Sequence, residues 1–303
     1  MEIIKKIAKK SNSFLLDIAR GIGIGIAFII PGFSGGSVAA ILGIYERIIN
    51  AVADIFKDFK SSIKTLFPIG LGMVIGIVSL LFPLSWALEA YPLPTVSLFV
   101  GLAIGGMPSI TDKLKGEKIK IKNLTAAIIP AIIVLSISFL PIGIEKNLFE
   151  LSIGGYFLLF IVGILGSSAL VVPGISGSML LLILGYYNPI VNLATDHLFM
   201  GKDIGISVLV LGITALGIAI GFILISVLMK LLFKHYPKGT YFAIMGFIIG
   251  SIPTIYVSTA KESELTFKNL PSSPIYWIAC VLLLLIGLAI SYAVVYYSKK
   301  QNK

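Results

Sequence analysis

Six stretches of the chain run for more than twenty residues without a charged side chain: Leu66–Leu88, Ala90–Thr111, Asn123–Ile144, Ile204–Met229, Gly239–Ala260 and Asn269–Ser298. A helix rises 1.5 Å per residue, so about 20 apolar residues cross a hydrocarbon core. The pattern therefore predicts membrane-crossing helices over about 66–88, 90–111, 123–144, 204–229, 239–260 and 273–298. The short alternating segments of a membrane β-barrel are absent. Two further uncharged runs are interrupted at their centres, by PGFSGGS at 31–37 and PGISGSM at 173–179. Ten uncharged residues, Gly21–Ile30, precede Pro31, and the uncharged stretch after Gly32 ends at Tyr45. Each arm spans roughly 15–20 Å, about half a bilayer. This predicts a re-entrant helical hairpin over 14–56. The second run, Leu151–Thr195, is long enough for two full spans; symmetry extends the hairpin reading to it, over 151–195.

The symmetry lies in the letters. PGFSGGSVAAILGIYERIIN (31–50) and PGISGSMLLLILGYYNPIVN (173–192) align without a gap at ten identities in twenty. FVGLAIGGMPSI (99–110) aligns with IMGFIIGSIPTI (244–255), and Gly72 and Gly76 fall on Gly217 and Gly221. The chain reads as two repeats, 1–145 and 146–303. Three spans separate the hairpins, and three is odd. The second repeat is therefore expected upside down relative to the first, with one hairpin entering from the cytoplasm and the other from outside. The expected fold is an all-α integral membrane protein of two inverted-topology repeats, each a re-entrant hairpin plus three transmembrane helices.

Composition agrees with this pattern. The chain is 57% hydrophobic and 13% charged, with a mean hydropathy of +1.02, whereas a soluble domain carries about 25% charge. The net charge of +10 raises the question of nucleic acid, but its distribution answers it. Twenty of the 24 Lys and Arg fall on one side of the expected topology; only Lys146, Lys202, Lys261 and Lys268 fall on the other. That is the positive-inside pattern. It places both termini in the cytoplasm and leaves no nucleic-acid reading. Reading the Pro-Gly segments as paired full spans gives the same sidedness. Basic Met1–Lys10 leads into an anchor without an A-x-A cleavage site, so no cleavable signal is expected.

The chemistry concentrates at the two breaks. Pro31-Gly32 and Pro173-Gly174 are the expected hinges, because Pro removes a donor and Gly permits the turn. Ser34 and Ser176 are placed to cap the helix that follows each turn. The N–H groups of Gly35, Gly36 and Ser37, and of Gly177, Ser178 and Met179, would then face the membrane interior. There a phosphate-like oxyanion would satisfy them. Packing of small residues in close turns is the competing reading. Arg20, Glu46 and Arg47 bound the first hairpin. If its arms pack together they cluster at the cytoplasmic mouth, as a guanidinium site for phosphate with Glu46 orienting it or exchanging a proton, or as interfacial side chains that reach for water. His197, His235 and Cys280 are the only metal-type histidines and cysteine, so no metal set and no cofactor are expected. No Walker loop is present.

With its doubled PGxSG…LGxY, the chain resembles the bacterial polyprenyl-phosphate transporter family over about residues 15–298. The resemblance implies a multi-pass protein of the bacterial cytoplasmic membrane that returns undecaprenyl phosphate from the outer to the inner leaflet for envelope-precursor recycling. Its partners would be that lipid and the surrounding membrane lipids. The family pattern carries an acid three residues before the first Pro, where this chain has Phe28. Two other classes remain: a membrane phosphatase or phosphotransferase on polyprenyl pyrophosphate, and an anion transporter. The phosphatases carry a PGxSR-type loop whose Arg position is Gly177 here, and a phosphoryl transfer without that cation lacks its charge stabilisation. The expectation is therefore a transporter with no catalytic residues.

Overall fold

A computed structural model of the chain describes residues 2–28, 34–116, 121–141, 143–194, 201, 203–263, 265 and 270–301. Most of those residues are helical, with no strand among them. The helices are α1 (Glu2–Ala27), α2 (Gly35–Ile41), α3 (Tyr45–Ala53), α4 (Phe59–Ala90), α5 (Pro92–Gly106), α6 (Pro108–Thr111), α7 (Ile121–Ser138), α8 (Ile153–Val171), α9 (Gly177–Ile183), α10 (Tyr187–Asn192), α11 (Ile204–His235), α12 (Pro237–Glu262) and α13 (Pro274–Gln301). Among the described residues five segments are long and apolar enough to cross a membrane: Phe59–Ala90, Pro92–Leu114, Ile204–His235, Pro237–Lys261 and Pro274–Tyr296. The protein is a multi-pass helical membrane protein.

The expected span at 123–144 is helical only to Ser138. Pro141 disfavours helix in the residue before it. The chain then runs alongside the end of α9, where Gly143 N–H donates to the Leu182 carbonyl at 3.1 Å and Lys146 N–H to that of Gly185 at 3.0 Å.

Matching local chemistry builds matching elements in the two halves. Tyr91 and Tyr236 end the long helices α4 and α11 in nearly the same conformation, at φ −139°, ψ 61° and φ −136°, ψ 54°. Each is followed by a Pro at the first position of the next helix, where its missing N–H costs nothing. α1 packs along α4, and α8 along α11; α5 packs along α13, and α12 along α7. Exchanging the halves maps these pairings onto themselves. In the first pair the backbones touch: a methyl added at Gly72 would meet the Ile18 carbonyl, and one at Gly217 the Phe160 carbonyl. Close approach through small residues is how helices associate in lipid, where tails are as apolar as leucine.

Helices α5 and α12 form the buried centre, with Val96, Ala103, Ile248 and Ile255 fully enclosed. Helices α4, α11 and α13 turn outward apolar side chains such as Phe82, Leu224 and Leu282. The two broken regions lie against that centre, α2 touching α5, α6, α8 and α12.

Candidate functional site

Both turn serines cap as their sequence position suggests. Ser34 has extended backbone, and its hydroxyl accepts the Gly36 N–H at 3.2 Å. Its carbonyl accepts the Ser37 N–H at 3.0 Å. Ser176 does the same, its hydroxyl accepting the Met179 N–H at 3.4 Å and its carbonyl the Leu180 N–H at 3.1 Å. Three of the six N–H groups expected to be open, those of Gly36, Ser37 and Met179, are therefore held within their own turns. The cradle reading is left with Gly35, Gly177 and Ser178. Pro31 and Gly32 lie outside the described residues. Pro173 and Gly174 are described: Gly174 has φ +83°, and a side chain there would meet the Phe247 carbonyl of α12.

The two turns meet. Helix α8 ends at Val171 because Pro173 has no N–H to continue the ladder, so its last carbonyls need outside donors. The first half supplies them: Tyr45 O–H donates to the Val171 carbonyl at 2.7 Å, and Ser34 O–H to that of Val172 at 3.4 Å. Gly36 lies so close that a methyl on it would be 2.9 Å from the Val171 carbonyl oxygen. The Ser37 hydroxyl beside this junction is fully buried and makes no hydrogen bond among the described residues. Beyond each turn the chain bends again at matched glycines, Gly43 at φ +69° and Gly185 at φ +76°. The first of these bends sets α2 and α3 at 120° to one another.

The charges expected at the mouth are partly brought together. Arg47 on α3 reaches the Asp17 carboxylate on α1 at 2.6 Å, and Arg20 reaches the same oxygen at 3.3 Å. Asp17 and Arg20 side chains are 12% and 19% exposed, whereas Arg47 is 42% exposed. Arg47 is thus the guanidinium open to an incoming anion. Glu46 does not join them. It lines a separate cavity of about 40 Å³ with Ser109, Lys113 and Tyr241. Its repeat counterpart Asn188 donates to Glu145 at 2.7 Å, so the two sites differ chemically. At the far end of α3, Asp54 pairs with Lys230 of α11.

Two larger cavities flank α3. A polar one of about 300 Å³ is lined by Arg47, Asn50, Asp54, Lys57, Ser61 and Thr65. An apolar one of about 280 Å³ lies beside α2, between Ile24, Phe28, Ala39, Ile69, Leu170 and Phe222. Leu170 and Phe222 come from the second half, so this cavity sits between the halves. Among the described residues no group of three or more His, Cys, Asp or Glu could hold a metal ion.

Asp17, Tyr45, Asp54 and Lys230 escaped the sequence reading. Asp17 had a signal, since it lies three residues before Arg20 on the same helical face. The other contacts join residues more than 120 positions apart, and no spacing rule reaches that far.

Residues 24–270 match the undecaprenyl phosphate translocase-like (VCA0040-like) family. The chain belongs to this family. Curated relatives include a polyprenyl-phosphate transporter of Vibrio cholerae serotype O1, 27% identical over 97% of this chain and 100% of the relative. Another polyprenyl-phosphate transporter, from Staphylococcus aureus, is 30% identical over 91% of this chain and 94% of its own length. No solved structure matches the chain. The translocase-like match spans both Pro-Gly turns, the α3 arginine and the apolar cavity, but begins after Asp17 and Arg20.

Proposed function

We propose that the protein is a polyprenyl-phosphate transporter of the bacterial cytoplasmic membrane, returning undecaprenyl phosphate or a related lipid from the outer to the inner leaflet. Family membership and the relatives' names support the substrate. The observation that carries the transport reading is the meeting of two broken helices, one from each half, with Tyr45 and Ser34 bonded to the end of α8. Broken helices meeting between repeats are how secondary transporters place a polar site at membrane depth.

A phosphate monoester cannot cross hydrocarbon unaided, because burying its charge is too costly. Its prenyl tail needs no such help. The protein therefore has to shield only the head group. In this reading Arg47, with Arg20 behind it, exchanges its Asp17 contact for the phosphate and holds it by a charge-assisted, two-pronged contact. Gly35, Ser37, Gly177 and Ser178 line the passage between the turns, and Ser34, Gly36 and Ser176 hold its walls in shape. Glu46 contributes at the neighbouring small cavity. The hairpins re-enter from opposite faces, the repeats are inverted, the termini are cytoplasmic, and the halves expose the passage alternately. The matched pairings of α1 with α4 and α8 with α11 support a two-fold relation.

The decisive experiment measures outer-leaflet undecaprenyl phosphate in intact cells, with and without the protein, using a probe that cannot cross the membrane. Accumulation on deletion is expected, reversed by the wild-type gene. Unchanged accessibility would sink the proposal. Phosphate release from labelled undecaprenyl pyrophosphate by the purified protein would favour the phosphatase class instead.

A further inference from the structure

We infer that the apolar cavity beside Gly35 and Gly36 at the start of α2 seats the first isoprene units of the transported lipid, so that the protein grips the tail as well as the phosphate. The inference rests on the substrate reading above and adds a second contact to it.

Helix α4 supplies the first argument. Its glycines at 72 and 76 have an evident use, because a methyl on either would meet carbonyls of α1. Gly70 has none of this. A methyl there would meet nothing within 4 Å, and the bare face of Gly70 looks into the apolar cavity. Glycine in a helix interior is unfavourable relative to alanine, so packing does not account for it. Its effect is to keep the cavity open. Interiors are close-packed, and an apolar void forfeits the contacts of every atom lining it. A cavity of about 280 Å³ shared between the halves is suited to a guest. At roughly 30 Å³ per water-sized group it holds about nine such groups, near two isoprene units.

Position supplies the second. Asp17, Arg20 and Ile24 on α1, and Phe28 in the turn that ends it, follow at spacings of three and four, so they continue one stripe along the helix. Asp17 and Arg20 belong to the charged cluster, while Ile24 and Phe28 line the apolar cavity. Arg20 and Ile24 are one helical turn apart, a rise of about 6 Å. A phosphate at Arg47 and Arg20 thus places the carbons next to it at the cavity. Phe28, at 39% exposure, stands at its rim. Its ring lies over Gly35, where a methyl would come within 2.9 Å of it. The ring forms a door between the cavity and the surrounding lipid.

The test uses the full chain in lipid nanodiscs with farnesyl phosphate carrying a benzophenone near its phosphate end. After photolysis, adducts are expected within Leu66–Met73 or Ile24–Phe28, and excess undecaprenyl phosphate should suppress them. Gly70→Leu should cut this labelling roughly tenfold or more, because a filled cavity removes the tail's apolar contact. Gly212→Leu, at an α11 glycine that likewise has open space around it, should leave it unchanged. Adducts confined to lipid-facing residues of α13 would overturn the inference; this measurement on the wild-type chain holds even if Gly70→Leu fails to insert. Equal cavity labelling by a benzophenone-tagged phosphatidylglycerol acyl chain would also overturn it. If the wild-type chain neither labels with farnesyl phosphate nor lowers outer-leaflet undecaprenyl phosphate, the substrate reading fails first. If it lowers that pool while Gly70→Leu labels normally, the tail seat alone is wrong.

Discussion

Arg47 and Arg20 share one carboxylate oxygen of Asp17, at 2.6 and 3.3 Å. One acid between two guanidiniums leaves a positive charge for an anionic guest. Arg47→Gln should therefore abolish lipid return while the protein still inserts, and Arg47→Lys should restore only part of it, because an ammonium lacks the planar fork. Transport assays beside a membrane-insertion blot would check this, and normal flux in both Arg47→Gln and Arg20→Gln would discard the arginine site. Tyr45 works differently. Its hydroxyl holds the Val171 carbonyl at 2.7 Å in a buried place. Tyr45→Phe leaves that carbonyl without this donor, at a cost of about 1–3 kcal/mol. Thermal unfolding in detergent should register the loss, with reduced flux, since the same bond joins the two turns.

At the scale of the element, the bends after α2 and α9 rest on Gly43 and Gly185, both at positive φ. Left-handed backbone costs a residue with a Cβ roughly 1–2 kcal/mol. The two positions differ in one respect. Gly43 has open space around a methyl, whereas a methyl at Gly185 would meet the Ile144 carbonyl. Gly43→Ala should thus show backbone strain alone and remain partly active. Gly185→Ala should add a steric clash and be more damaging to both insertion and transport. Equal behaviour of the two variants would show that the segment after α7 yields easily.

For the molecule as a whole, the proposed inverted arrangement predicts how the residues at the two turns meet water. With Cys280 replaced by serine, Ser34→Cys and Ser176→Cys should each react slowly with a membrane-impermeant maleimide, and from opposite faces. Slow reaction is expected because Ser34 is buried and Ser176 follows the buried Pro173 and Gly174. Reaction of both from one face would discard the inversion and, with it, alternating access by two opposed hairpins. Helices α5 and α12 at the centre and α4, α11 and α13 at the lipid surface give the frame around which such exposure would alternate.

Much of this was legible in the chain itself. Uncharged blocks determined helical membrane character, and the two turn motifs determined the capping roles of Ser34 and Ser176, because each depends on local composition or on one helical turn. Even the Asp17–Arg20 pair obeys a spacing of three. The tertiary structure alone decided that Arg47 joins that pair while its neighbour Glu46 turns away, since adjacent residues on a helix point about 100° apart and only packing chooses which faces α1. It alone placed Tyr45 against Val171 and joined Asp54 to Lys230. It also distinguished Gly70, which faces empty space, from Gly72, which backs onto a helix. In sequence these are two glycines in one apolar run; what separates them is the surface each meets, and that surface comes from elsewhere in the chain.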